Sequence, residues 1–101
     1  MPLQLEVLKR DLERIRLIVV GRLNFEGKYL LSVDWVESTY GATSGREIQE
    51  KEKNLRRILA AHGLTEESLI YIRPRVARGK MWYTFFIGIK PEAVLEEAAS
   101  D

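Results

Sequence analysis

Apolar residues recur at two different periods along this chain, and the change of period divides it into elements. From Leu5 the spacing Leu5, Leu8, Leu12, Ile15 is helical, with charged residues between, and predicts a helix over 3–14. From Leu17 the period becomes two. Leu17, Val19, Gly21 and Leu23 alternate with Ile18, Val20 and Arg22, and after NFEGK the residues Tyr29, Leu31, Val33 and Trp35 alternate in the same way. This predicts a β-hairpin. No Gly or Pro marks the junction between helix and strand.

A three-residue loop Phe25-Glu26-Gly27 would pair Leu23 with Tyr29, Val19 with Val33 and Leu17 with Trp35, placing the large apolar residues on one face. A two-residue loop would pair Leu23 with Leu30 and Val19 with Asp34 and mix the faces, so the first register is expected. The other face, with Ile18, Val20, Leu30 and Val36 beside Arg22, Ser32 and Asp34, is too apolar to be left bare. Either the N-terminal helix or a second copy of the chain should cover it, and a homodimer contact is the preferred expectation.

Ser44 followed by Glu47 has capping-box spacing. Ile48, Leu55, Ile58, Leu59 and His62 form the thin apolar stripe of a helix of about five turns, and Gly63 marks its end. A second hairpin follows. With Arg78-Gly79 as a two-residue loop, Ala77 opposes Lys80, Arg75 opposes Trp82, Arg73 opposes Thr84 and Tyr71 opposes Phe86. The reverse face pairs Val76 with Met81, Pro74 with Tyr83, Ile72 with Phe85 and Ile70 with Ile87, and is expected to be core. Pro74 lacks an N–H and points to a free edge. Pro91 is expected to open a short acidic helix anchored by Val94, Leu95 and Ala98. The order α-β-β-α-β-β-α predicts one α+β domain over 1–101, a four-stranded antiparallel sheet with helices mainly on one face.

Composition narrows this picture. The 101 residues are 46% hydrophobic and 31% charged, as in soluble globular proteins. There is no cysteine, which excludes disulfides and thiolate metal sites. No apolar run is long enough to span a bilayer, and the opening residues lack the apolar stretch of a secretory signal, so a cytoplasmic location without membrane attachment is expected. Two asparagines, two glutamines and many charges give a thermophile-like bias.

Net charge is only +1, but the charge is segregated. Between Glu67 and Glu92 there is no acid, while Arg73, Arg75, Arg78, Lys80 and Lys90 are present. The hairpin register puts Tyr71, Arg73, Arg75, Lys80, Trp82 and Phe86 on one face, with Arg78 at the turn. Cations attract phosphates and aromatic rings stack on unpaired bases, so these residues form a candidate nucleic-acid surface, in the first instance for a single strand. RGKMWYTFF departs from the RNP1 pattern of RNA-binding sheets at Lys80 and Met81, and the order of elements differs, so no family is assigned. The competing readings are a protein-interaction surface, which would make the chain a regulatory subunit, and plain packing, with the rings under a helix or partner and the arginine stems along them.

A second candidate is the loop Thr43, Ser44, Gly45, Arg46, which could present N–H groups to a phosphate. Its glycines are too close together for a Walker A loop. Catalysis has little support. The single histidine, His62, sits at a helix end and suits a capping role better than a base. Asp34 and Glu37 fall on opposite faces of a strand, and no triad or metal-ligand spacing is present. A non-enzymatic nucleic-acid-binding module is therefore the leading reading. A protein-interaction subunit is the alternative, and a metal-dependent nuclease using Asp34 is a distant third. No cofactor and no metal are expected.

Overall fold

The structure, a computed structural model, describes residues 3–25, 28–64, 70–89 and 94–95. Strand β1 (Leu3–Gln4) runs directly into helix α1 (Leu5–Glu13). Strands β2 (Leu17–Phe25) and β3 (Lys28–Trp35) form the first hairpin. Helix α2 (Gly45–Ala61) follows, then β4 (Ile70–Ala77) and β5 (Lys80–Ile89), and finally β6 (Val94–Leu95). The main sheet has the order β2-β3-β5-β4, with every neighbouring pair antiparallel. The expected α+β class and four-stranded antiparallel sheet are both present.

The third helix is not. Val94 and Leu95 lie opposite Leu3 and Gln4 in a short parallel pair, while Pro91 and Ala98 lie outside the described residues. Three apolar anchors spread over so few turns would gain little from helix formation. Extended backbone here finds ready partners in the N–H and C=O groups of β1.

Both helices pack on one face of the sheet. The core joins Leu5, Leu8 and Leu12 of α1 and Leu55 and Leu59 of α2 to Leu17, Leu31, Val33, Trp35, Phe85, Ile87 and Ile89. These strand residues all belong to the inner face, so α1 does not cover the outer one. The abrupt change from helix to strand is made by Arg16, which adopts φ 64°, the left-handed region that glycine would normally fill. Its carbonyl accepts from the Val36 N–H at 3.0 Å. The neighbouring Ile15 carbonyl accepts from Lys51 Nζ at 2.8 Å.

The first hairpin combines the two registers that the sequence set against each other. At its base Leu17 opposes Trp35 and Val19 opposes Val33, as expected. At its tip Phe25 opposes Lys28 and Leu23 opposes Leu30, so the expected three-residue loop is replaced by a two-residue connection. A β-bulge between Val19 and Gly21 reconciles them by leaving Val20 as the extra residue. The bulge keeps the base apolar face on the core and turns Leu23 to the outer face, where it is 58% exposed.

The second hairpin has the expected register throughout, from Ile70 opposite Ile87 to Ala77 opposite Lys80. Arg78 (φ 50°) and Gly79 (φ 76°) both take positive φ, as a two-residue turn of the I′ kind requires. One expectation about its burial fails. Val76 and Met81 are 66% and 42% exposed, and Pro74 is exposed too, although all three lie on the inner face. The ladder between β3 and β5 stops at Trp35 opposite Tyr83, so the end of the hairpin runs beyond the core.

Candidate nucleic-acid interface

The outer face of the sheet is built in rows across the strands. One row reads Ile18, Asp34, Thr84, Arg73, and the next Gly21, Ser32, Phe86, Tyr71. Trp82 and Arg75 form the row beyond, on the second hairpin alone. The register therefore brings Tyr71, Arg73, Arg75, Trp82 and Phe86 to one face, with Lys80 opposite Ala77 and Arg78 at the tip.

The aromatic residues are engaged with their neighbours. Tyr71 and Phe86 stack with centroids 5.3 Å apart and planes 23° from parallel. The Arg73 guanidinium carbon lies 5.2 Å from the Tyr71 centroid. Trp82 is half-buried, and its Nε1 is shielded from solvent without an acceptor among the described residues. It borders a cleft of about 630 Å³, together with Asp34, Trp35, Ser38 and Lys80.

Of the five cations of α2, Lys51, Arg56 and Arg57 have partners, while Arg46 and Lys53 are exposed and make no ion pair or side-chain hydrogen bond to a described residue. On the helix, Arg56 Nε donates to Glu52 Oε2 at 3.0 Å, Arg57 Nη1 donates to Asn54 Oδ1 at 3.2 Å, and Lys51 donates to a backbone carbonyl. Arg75, Arg78 and Lys80 are exposed and make no ion pair or side-chain hydrogen bond to a described residue. Asp34 is the one acid at an outer-face position of the described strands. Its Oδ1 accepts a hydrogen bond from the fully buried Thr84 hydroxyl at 2.7 Å.

The segment after β3 braces one side of the second hairpin. Ser38 Oγ donates to the Trp35 carbonyl at 2.7 Å and accepts from the Tyr83 N–H at 2.9 Å. The Tyr40 N–H donates to the Met81 carbonyl at 3.1 Å, and the Tyr40 and Tyr83 rings lie 5.6 Å apart. Sequence reasoning missed this brace, because a serine and a tyrosine in a loop carry no signal of the strand they will meet.

The loop proposed for phosphate spends its polar groups on itself. Ser44 Oγ accepts from the Glu47 N–H at 3.2 Å, and Glu47 Oε1 accepts from the Ser44 N–H at 3.0 Å, which is the expected capping box. Thr43 Oγ1 accepts from the Thr39 N–H at 2.8 Å. The Ser44 backbone N–H, and then its side chain, hold the Glu47 carboxyl below its ordinary pKa. A carboxylate thus already occupies the N-terminus of α2. Gly45 and Arg46 begin that helix, both exposed.

His62 occupies the C-cap position of α2 through its backbone, and its side-chain Nε2 lies 2.7 Å from Asp11 Oδ2, which ties α2 to α1. Among the described residues no three His, Asp or Glu side chains converge as a metal site would require. No described helix is long and apolar enough to cross a membrane. No protein-family model, curated protein or solved structure shows significant similarity to the chain.

Proposed function

We propose that the chain is a small nucleic-acid-binding module that uses the second hairpin. The observation that carries this reading is the grouping of unpaired cations on a hairpin whose two strands hold no acid. Arg75, Arg78 and Lys80 stand exposed on an arm with no acid paired to them among the described residues. Unpaired cations in a row suit a polyanion, which gains affinity by releasing condensed counterions. Arg73 extends the row onto the sheet face beside Tyr71 and Phe86.

The test is the electrophoretic mobility of labelled mixed-sequence nucleic acid with the wild type and with Arg73→Glu, Arg75→Glu and Lys80→Glu. Each charge reversal is expected to weaken binding. Unchanged binding across all three would overturn the reading.

A second reading rests on the opposite edge of the sheet. Val20 and Leu23 on the edge strand β2 are 56% and 58% exposed and lie apart from the basic arm. Exposed apolar residues grouped on a sheet edge suit contact with another protein, here a second copy of the chain. Sedimentation equilibrium of the wild type and Leu23→Lys tests it: a dimer that the lysine converts to monomer supports the contact, and a monomeric wild type removes it.

A further inference from the structure

We infer that the ligand of the second hairpin is duplex DNA and that the arm enters its major groove, an inference that rests on the nucleic-acid reading above. Single-strand binding and groove binding make different demands on the same residues. A stacking platform needs ring faces open to bases. Tyr71 already has Phe86 stacked on it at 5.3 Å and the Arg73 guanidinium at 5.2 Å, and Trp82 is half-buried. Tyr71 keeps 36% of its surface exposed, but its ring already has these two neighbours, whereas Arg75, Arg78 and Lys80 are exposed and unpaired among the described residues.

The arm is a two-stranded ribbon exposed on both faces. Arg75 and Lys80 lie on the outer side, Val76 and Met81 on the other, and all four are exposed. Beyond the Met81 row, where Tyr40 braces its edge, the ribbon continues for roughly 7 Å of backbone to its turn, at 3.4 Å per residue. Past that reaches the Arg78 side chain. The B-form major groove is about 8.5 Å deep and about 12 Å wide, and it admits a two-stranded ribbon. The turn, with Arg78 at φ 50° and Gly79 at φ 76°, holds the tip in one defined shape before binding.

Each cation then has a partner of suitable chemistry. Arg78 at the tip reaches the floor of the groove, where guanine offers two acceptors to a guanidinium. Arg75 and Lys80 face the phosphates along its walls. A-form RNA duplexes have a deep, narrow major groove that side chains do not enter, so the same arm discriminates against them.

The experiment compares the full chain on three probes at one salt concentration: a mixed-sequence DNA duplex, one strand of that duplex alone, and the RNA duplex of the same sequence. Fluorescence anisotropy is the readout. Methyl green, which occupies the major groove, and netropsin, which occupies the minor groove, serve as competitors. The inference expects the DNA duplex to bind at least about tenfold tighter than either alternative, given the groove dimensions. It also expects methyl green to displace the protein and netropsin to leave it bound. Equal or tighter binding to the single strand, or displacement by netropsin alone, overturns the groove assignment and leaves the nucleic-acid reading standing. Absence of binding to all three probes overturns both.

Discussion

Asp34 and Thr84 face each other across the central strand pair, and the Thr84 hydroxyl donates to Asp34 Oδ1 at 2.7 Å. This bond fixes the one acid on the outer face of the described strands in the row that ends at Arg73. Two variants separate its structural and electrostatic roles. Thr84→Val removes a fully buried donor and should cost about 1–2 kcal/mol of stability, read from urea unfolding. Asp34→Asn keeps an oxygen acceptor for Thr84 but removes the negative charge. It should raise affinity for nucleic acid about twofold at low salt. If Asp34 instead served metal-dependent cleavage, the same variant would abolish it with binding intact, and a gel of end-labelled DNA incubated with magnesium distinguishes the two.

Lys51 joins three elements. Its Nζ donates to the Ile15 carbonyl at 2.8 Å, lies 3.6 Å from Glu37 Oε1 and sits 5.3 Å from the centroid of the Trp35 ring. Replacement by methionine keeps the stem but leaves the Ile15 carbonyl without this donor. A loss of about 1–3 kcal/mol is expected from chemical denaturation. Nucleic-acid affinity should be unchanged, because Lys51 lies on the helix side of the sheet. A variant as stable as the wild type would show that water replaces the lysine at no cost.

Glu47 makes stability depend on pH. Its carboxyl is held below the ordinary value by the Ser44 backbone N–H, so the folded state favours the ionised form. The contribution is full above the carboxylate range of the unfolded chain and is lost as pH falls through the lowered folded value. Glu47→Gln should therefore flatten the acid limb of the stability profile and leave its neutral region nearly level. Urea midpoints taken at several acidic pH values check this, and superimposable profiles would contradict it.

The bulge at Val20 makes a prediction about chain length. Without Val20, a two-residue connection and the base pairing of Leu17 with Trp35 and Val19 with Val33 become compatible in one regular ladder. Deleting either Val19 or Val20 yields the same chain, so the deletion removes only the extra, exposed residue. The fold should survive with a change in stability within about 1 kcal/mol. Deletion of Leu31 on the partner strand, which is fully buried, should prevent folding. Circular dichroism and urea unfolding distinguish these outcomes.

These residues also mark what a single sequence can and cannot display. The second hairpin was legible in every pairing, because Arg78-Gly79 fixes a two-residue turn and the turn fixes the register. The first hairpin was legible at its base and not at its tip. Two adjacent valines offer the same chemistry to either register, and nothing marks one of them as the residue to be bulged out. Arg16 shows a similar limit, since the left-handed turn between α1 and β2 is made without the glycine that would have announced it. Most of the candidate surface follows from strand alternation alone. The contacts that brace it, from Ser38 to Tyr83 and from Tyr40 to Met81, join segments far apart in the chain and leave no periodic trace. The capping box of Ser44 and Glu47 was readable because it is local.

The most direct test of the basic arm is the salt dependence of DNA binding. The logarithm of the binding constant is measured against the logarithm of salt concentration for the wild type and for Arg75→Ala/Lys80→Ala. If Arg73, Arg75, Arg78 and Lys80 each neutralise one phosphate, the wild-type slope should be about −3.6, and the double variant should lose about 1.8 of it. A slope near zero, or one that the double variant leaves unchanged, would show that the second hairpin does not hold the polyanion.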